Sequence, residues 1–201
     1  MWDADQLQPT LRGELVALEP LHERHREQLW EAAADSEIWR WMPFNASASR
    51  ENYDRWFEGM LEESAAGRQA SFATIENGVA IGHTSYLALR PEHRGVEIGW
   101  TWLRRQSWRS GANAGCKLLL LEHAFGTLDC IRVEFKTDAL NERSRKALAG
   151  IGATYEGIFR SHMIVRGDVI RDSAYYSVIA SEWPTVREAL SRRLARHSSA
   201  S

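Results

Sequence analysis

Trp108-Arg109-Ser110-Gly111-Ala112-Asn113-Ala114-Gly115 stands between a strand-like run, Gly95 to Leu103, and a helix-like run, Ala112 to Thr127, and the whole chain is read outward from it. Gly111, Ala112, Ala114 and Gly115 are small enough for a ligand to approach the main chain. The first turn of a helix also carries N–H groups that have no partner inside the helix, at the positive end of its dipole. An anion fits such a place, a pyrophosphate included. Small residues equally suit a helix that starts in tight contact with its neighbours, and the octapeptide alone leaves both readings open.

Upstream, Ala70 to Glu76 and Val79 to Leu89 flank Asn77-Gly78, whose tolerance of positive φ predicts a hairpin of two antiparallel strands. Before it, the pattern gives a strand at Glu14 to Pro20 and helical spacing of Leu21, His25, Leu29 and Ala33 between Leu21 and Asp35. A helix is expected from Ser49 to Glu63, with Tyr53, Trp56, Phe57, Met60 and Leu61 in one stripe. In the run after the octapeptide, Ala114, Leu118, Leu121 and Phe125 are expected to share the buried face. Downstream come a strand at Ile131 to Asp138 and a short helix at Asn141 to Gly150. Two strands follow, Tyr155 to Val165 and Val169 to Ser181, turned at Arg166-Gly167-Asp168. Pro184 opens a terminal helix. This order predicts a mixed α/β fold, a sheet with helices on its faces, whose chemistry sits where a strand hands the chain to a helix.

Composition narrows the class. With 201 residues and 44% apolar content, one sizeable core is expected, hence a single domain over 1–201 with a core of about 13–183 and a terminal helix of about 184–197. The 25 basic and 27 acidic residues leave a net charge of -2, so neither nucleic acid nor an anionic membrane surface is an expected partner. Cys116 and Cys130 form neither a metal-ligand pattern nor a disulfide framework, so no metal is expected and a reducing, cytoplasmic setting suits them. No apolar run approaches the roughly 20 residues of a membrane span, and the acidic start differs from a signal peptide. Nine Trp suggest that some rings line a cleft or an interface. Gly-x-x-x-x-Gly-Lys-Ser/Thr is absent, which excludes a P-loop nucleotide hydrolase.

Taken together, these segments resemble the GCN5-related N-acetyltransferase (GNAT) superfamily, in its branch related to the bacterial ribosomal-protein N-terminal (Rim-type) acetyltransferases. The family's Gln/Arg-x-x-Gly-x-Gly/Ala signature is matched in place by Trp108-Arg109-Ser110-Gly111-Ala112-Asn113, with Trp108 and Asn113 as departures. Glu97-Ile98-Gly99-Trp100 resembles the preceding strand, Asn141-Glu142-Arg143-Ser144 the family's Asn-x-x-Ser, and Ile151-Gly152-Ala153-Thr154-Tyr155-Glu156-Gly157 the passage into a later strand. The resemblance implies a mostly antiparallel mixed sheet of about seven strands, splayed to admit acetyl-CoA as cosubstrate, and transfer of its acetyl group to an amine acceptor. It implies a pyrophosphate cradle at Arg109, Ser110, Gly111, Ala112, Asn113 and Ala114. It also implies main-chain contacts to the pantetheine arm from Trp102 and Leu103, a contact from Asn141, which is equally a favoured helix N-cap, and Ser144 as the acid for the departing thiolate, or else an exposed helix serine. Arg104 and Arg105 either reach phosphate or form a solvated rim. Trp102 either serves the cofactor or fills the core.

Because a primary amine is mostly protonated near neutrality, with pKa near 8 for an α-amine and above 10 for lysine, a general base is needed. Glu97, flanked by Val96 and Ile98, is the first candidate, with desolvation expected to raise its pKa; a carboxylate merely paired with an arginine is the alternative. His83 is the second candidate, and His162 and Asp172 are further ones. Trp39, Trp41, Met42, Pro43 and Phe44 form an apolar acceptor wall, or else core or a contact between two copies in a homodimer. A domain that binds acyl-CoA without transferring it is the competing function.

Overall fold

A computed structural model describes residues 2–198. In chain order the elements are α1 (Ala4–Leu7), β1 (Leu11–Arg12), β2 (Ala17–Pro20), α2 (Arg26–Ala32), α3 (Arg50–Ala65), β3 (Ala70–Glu76), β4 (Val79–Arg90) and β5 (Gly95–Leu103). Then follow α4 (Ala112–Gly126), β6 (Arg132–Asp138), α5 (Glu142–Gly150), β7 (Thr154–Val165), β8 (Val169–Ile179) and α6 (Trp183–Ser198). The strands form one open sheet in the order β1-β2-β3-β4-β5-β6-β8-β7, antiparallel throughout except for the parallel pair β5–β6. The expected mixed α/β architecture is present. It has eight strands where about seven were expected, because the two-residue β1 is too short to carry an alternating pattern.

Local chemistry sets most boundaries. Asn77 and Gly78 both take positive φ, 51° and 78°, as a two-residue hairpin turn requires. Ser49 caps α3 by accepting the Asn52 N–H at 3.1 Å, and Asn141 caps α5 by accepting the Ser144 N–H at 3.1 Å. The helix expected over Leu21 to Asp35 is shorter, for two reasons. His25 Nδ1 accepts the His22 N–H, tightening the start into a 3-10 turn, and the Trp39 indole takes the Ala33 carbonyl at 2.9 Å, ending the helix there.

Two apolar clusters sandwich the sheet. On one face α4 and α6 bury Cys116, Leu120, Leu121, Ala124, Val186 and Leu190 against Val96, Ile98, Val133 and Phe135. The stripe expected on α4 is therefore corrected: Leu118 and Phe125 are only half-buried, because Cys116, Leu120, Leu121 and Ala124 are the residues in the core, and Phe125 lies at its edge, stacked on Trp183 of α6 at 5.4 Å. On the other face α2, α3 and the segment between them cover only the early strands, through Leu29, Trp39, Tyr53, Trp56 and Phe57. Lys136, Arg171 and Tyr175, which share that face further along the sheet, have no helix over them.

The sheet opens at its one parallel seam. β5 pairs with β6 only from Gly95 to Glu97, opposite Arg132 to Glu134. Beyond this, Trp100 and Thr101 bulge opposite the single residue Thr84, with Trp100 at φ 48°, and a bulge bends and twists its strand away from the plane. Gly82 holds β4 close to the bent stretch. A Cβ there would lie 2.2 Å from the Trp102 carbonyl oxygen and 2.9 Å from Leu103 Cα. Gly82→Ala is therefore expected to destabilise the fold by about 1–3 kcal/mol, read in thermal denaturation as a drop of roughly 3–10 °C for a domain of this size.

Candidate active site

The gap between β5 and β6 becomes a cleft of about 930 Å³, closed at one end by the start of α4. There Arg109 and Gly111 both take left-handed φ, 67° and 91°, and left-handed residues set among right-handed ones turn successive N–H groups into an anion-binding concavity. Of the six amides from 109 to 114, only that of Ala112 has a protein partner, the Ser110 hydroxyl at 3.3 Å. The amides of Arg109, Ser110, Gly111, Asn113 and Ala114 donate to nothing among the described residues. A non-glycine residue in the left-handed region is costly unless its surroundings require it, and at Arg109 that cost falls where the amides converge.

Most of the cradle read from sequence is brought together: Arg109, Gly111, Asn113 and Ala114 line the cleft. Ala112 is a correction. Its amide is taken and its side chain is buried in the core. Ser110 contributes an amide only, since its hydroxyl is spent on the Ser107 carbonyl at 2.9 Å and on Ala112. Of the two readings of Arg104, the rim one holds: its guanidinium pairs with Glu76 at 2.9 Å and it does not border the cleft. Arg105 does border it, lying 5.2 Å from the Trp108 ring.

Along β5, Arg104 N–H donates to the Ile81 carbonyl at 2.8 Å. Main-chain groups in an antiparallel ladder alternate sides, so Trp102 turns its own toward His83 on β4 and Leu103 turns its own toward the gap. Both Trp102 and Leu103 line the cleft, but of the two only Leu103 turns its main chain to the gap, and its carbonyl accepts the Trp108 indole N–H at 2.9 Å. The Trp102 side chain fills the core, with ring centroids 5.3 Å from Trp39 and 5.5 Å from Trp56. Trp108 is held by the Arg143 guanidinium, 3.8 Å from its ring centroid. Asn141 and Ser144 reach the cleft from the start of α5. Asn141 uses Oδ1 for its cap, whereas the Ser144 hydroxyl has no hydrogen-bond partner among the described residues.

Glu97 lines the cleft where β5 and β6 part. It is 5% exposed, and its partner is Lys136 on β6, with Nζ 3.2 Å from Oε2, not an arginine. His83 stands apart. It is fully buried, makes a 2.9 Å hydrogen bond to the Trp100 carbonyl and meets Trp56 edge-on, and burial pushes its pKa down to about 4. It is a structural imidazole. His162 is bonded to the Ser173 hydroxyl at 3.0 Å, with its pKa lowered first by burial and then by Lys136 and Arg171. Asp172 accepts the Ser161 N–H at 2.7 Å. Both border a separate shallow depression on β7 and β8.

Lys117, Lys136, Arg171 and Arg193 line the cleft and were not singled out from sequence. Lys117, on α4, is 5% exposed and donates to the Thr101 hydroxyl at 2.8 Å, with burial drawing its pKa down to about 8. A lone lysine inside the run Cys116 to Leu121 was the available signal. Lys136 and Arg171 gave none, because their strands alternate in the ordinary way. Of the aromatic cluster, Trp41, Met42 and Pro43 line the cleft, while Trp39 is core and Phe44 rests against the core of α2 and α3. The Arg166 N–H donates to the Pro43 carbonyl at 3.0 Å, tying this wall to the β7–β8 turn.

The cleft thus joins a turn of unpartnered amides, an open strand edge and a buried carboxylate. Among known proteins, the profile of the acetyltransferase (GNAT) domain matches residues 16–154. N-acetyltransferase p20 of Bacillus licheniformis, itself uncharacterised, is 24% identical over 177 residues, 87% of this chain and 98% of p20. A solved structure of a proposed acetyltransferase from T. thermophilus is 35% identical, covers 96% of this chain and 100% of its own, and superposes with a TM-score of 0.87. Mycobacterium smegmatis RimJ in complex with CoA-disulfide shares the fold, at TM-score 0.76 and 22% identity over 92% of each chain.

Proposed function

This chain belongs to the GNAT family of acetyltransferases, and we propose that it transfers an acetyl group from acetyl-CoA to a primary amine by direct attack, the amine being a protein N-terminus or a small molecule. The observation that carries this reading is the set of five unpartnered amides at the start of α4, opening into the same cleft that Glu97 lines from the far side. A diphosphate fits those amides, and the pantetheine arm fits the strand edge beyond them.

Acetyl-CoA, when bound, supplies an acyl group activated as a thioester. The amides of Arg109, Ser110, Gly111, Asn113 and Ala114 hold its diphosphate, Leu103 offers its main-chain N–H to the pantetheine arm, and Asn141 its side-chain amide. Glu97 takes the proton that the ammonium must lose before attack, with Lys136 keeping the carboxylate in place. As the C–N bond forms and the C–S bond breaks, Ser144 gives its hydroxyl proton to the departing sulfur and regains one from the nitrogen through water, so that one proton is released overall. Nucleophilic thiol chemistry has no support: burial holds Cys116 up at about 11 and Cys130 up at about 12.

The test is release of free thiol from acetyl-CoA across a panel of primary amines. Amine-dependent release is expected. Coenzyme A binding measured by calorimetry, with no thiol released by any amine, would leave a binding module and overturn the proposal.

A further inference from the structure

Arg171 is a buried cation with nothing to hold. It is 6% exposed, yet its guanidinium makes no hydrogen bond or ion pair with any described residue, and Nε is sealed from solvent without a partner. It lines the cleft. Strand register places it on the same sheet face as Lys136 and Glu97, opposite the face that carries α4 and its free amides. The diphosphate site therefore does not account for it.

The nearby acids are already engaged. Glu97 pairs with Lys136 at 3.2 Å. Asp138 accepts the Leu140 N–H at 2.9 Å and faces Arg166 at 4.0 Å. Both carboxylates act on Arg171 through space only. Lys136, Arg166 and Arg171 thus face two carboxylates, leaving one positive charge unmatched on the open side of the cleft. A guanidinium is a planar fork of donors suited to a carboxylate, and a buried ion without a partner is costly unless a ligand supplies one.

We propose that Arg171 binds a carboxylate carried by the acceptor, so that the amine acetylated belongs to an amino-acid-type molecule whose apolar side group lies against Trp41, Met42 and Pro43. The proposal rests on the transfer reading above and narrows its acceptor. Arg171 is the specificity residue: it selects amines by the acid they carry, while Glu97 handles the amine itself.

The experiment uses pairs of amines that differ only in the acid: phenylalanine against 2-phenylethylamine, leucine against 3-methylbutylamine, with the aminophosphonate analogue of phenylalanine as a third arm. Thiol release from acetyl-CoA is expected to favour the carboxylate by about 30-fold in kcat/KM, the size of one charge-assisted hydrogen-bonded contact. Arg171→Gln is expected to bring that ratio close to one, and Arg171→Lys to restore part of it. The variant should fold, because Gln removes a buried charge and no hydrogen bond; its melting temperature checks this. The same preference is expected in binding, as a rise in melting temperature of the coenzyme A-saturated protein with phenylalanine but not with 2-phenylethylamine. Equal use and equal binding of both members of each pair, a clear preference for the phosphonate over the carboxylate, or a preference that survives Arg171→Gln would overturn the proposal. Preferential binding without thiol release would instead overturn acetyl transfer and leave the carboxylate site standing.

Discussion

Glu97→Gln is expected to lower kcat by about 100-fold or more at neutral pH, the range of a lost general base, while leaving coenzyme A affinity unchanged. The substitution keeps the shape of the side chain and still offers Lys136 an acceptor, so the cleft should persist. Affinity is spared because the free amides lie at the start of α4, whereas Glu97 sits where β5 and β6 part. The pH profile separates a base from a structural carboxylate. Below the pKa of the acceptor amine, near 8 for an α-amine, the enzyme must remove a proton and the variant cannot. Above that pKa the amine is already neutral and the deficit shrinks. Steady-state kinetics from pH 6 to pH 10 check this, and a loss that is the same at every pH removes Glu97 from the role.

Asn113→Asp is expected to move stability and affinity in opposite directions. Asn113 is the second residue of α4, directly at the free amides. A carboxylate in the first turn of a helix complements the dipole and stabilises by about 0.3–1 kcal/mol, so the melting temperature should hold or rise slightly. The same charge stands beside the amides proposed to hold a diphosphate. At roughly 6 Å and an effective dielectric of about 20, one added charge costs binding about 3 kcal/mol. Calorimetry should therefore show coenzyme A bound about 100-fold more weakly, the effect declining with salt. A variant that binds coenzyme A as tightly as the parent protein would show that the diphosphate does not lie at these amides.

Much of the route to this site is legible in the chain itself. Asn77-Gly78, Ser49 and Asn141 are local signals, and each acts within four residues of itself, as hairpin turn or helix cap. The small residues from Gly111 to Gly115 marked a helix start with unbonded amides for the same reason: what a helix start leaves unbonded follows from its geometry. Non-local pairings were not readable in this way. Glu97 and Lys136 are 39 residues apart and meet only because β5 and β6 run parallel for three residues before the Trp100-Thr101 bulge parts them.

Periodicity and turn residues thus determined most of the strands and helices, their order, and the small-residue turn between β5 and α4. The tertiary structure decided which polar groups are left over. It assigned the Ala112 amide to Ser110, the Trp102 main chain to β4 and His83 to an aromatic core, and it left Arg171 buried without an acceptor among the described residues. The reason is physical: a sequence shows which groups can bond or be buried, but their partners depend on which strands lie side by side and which sheet face a helix covers, and those are set by contacts between distant segments.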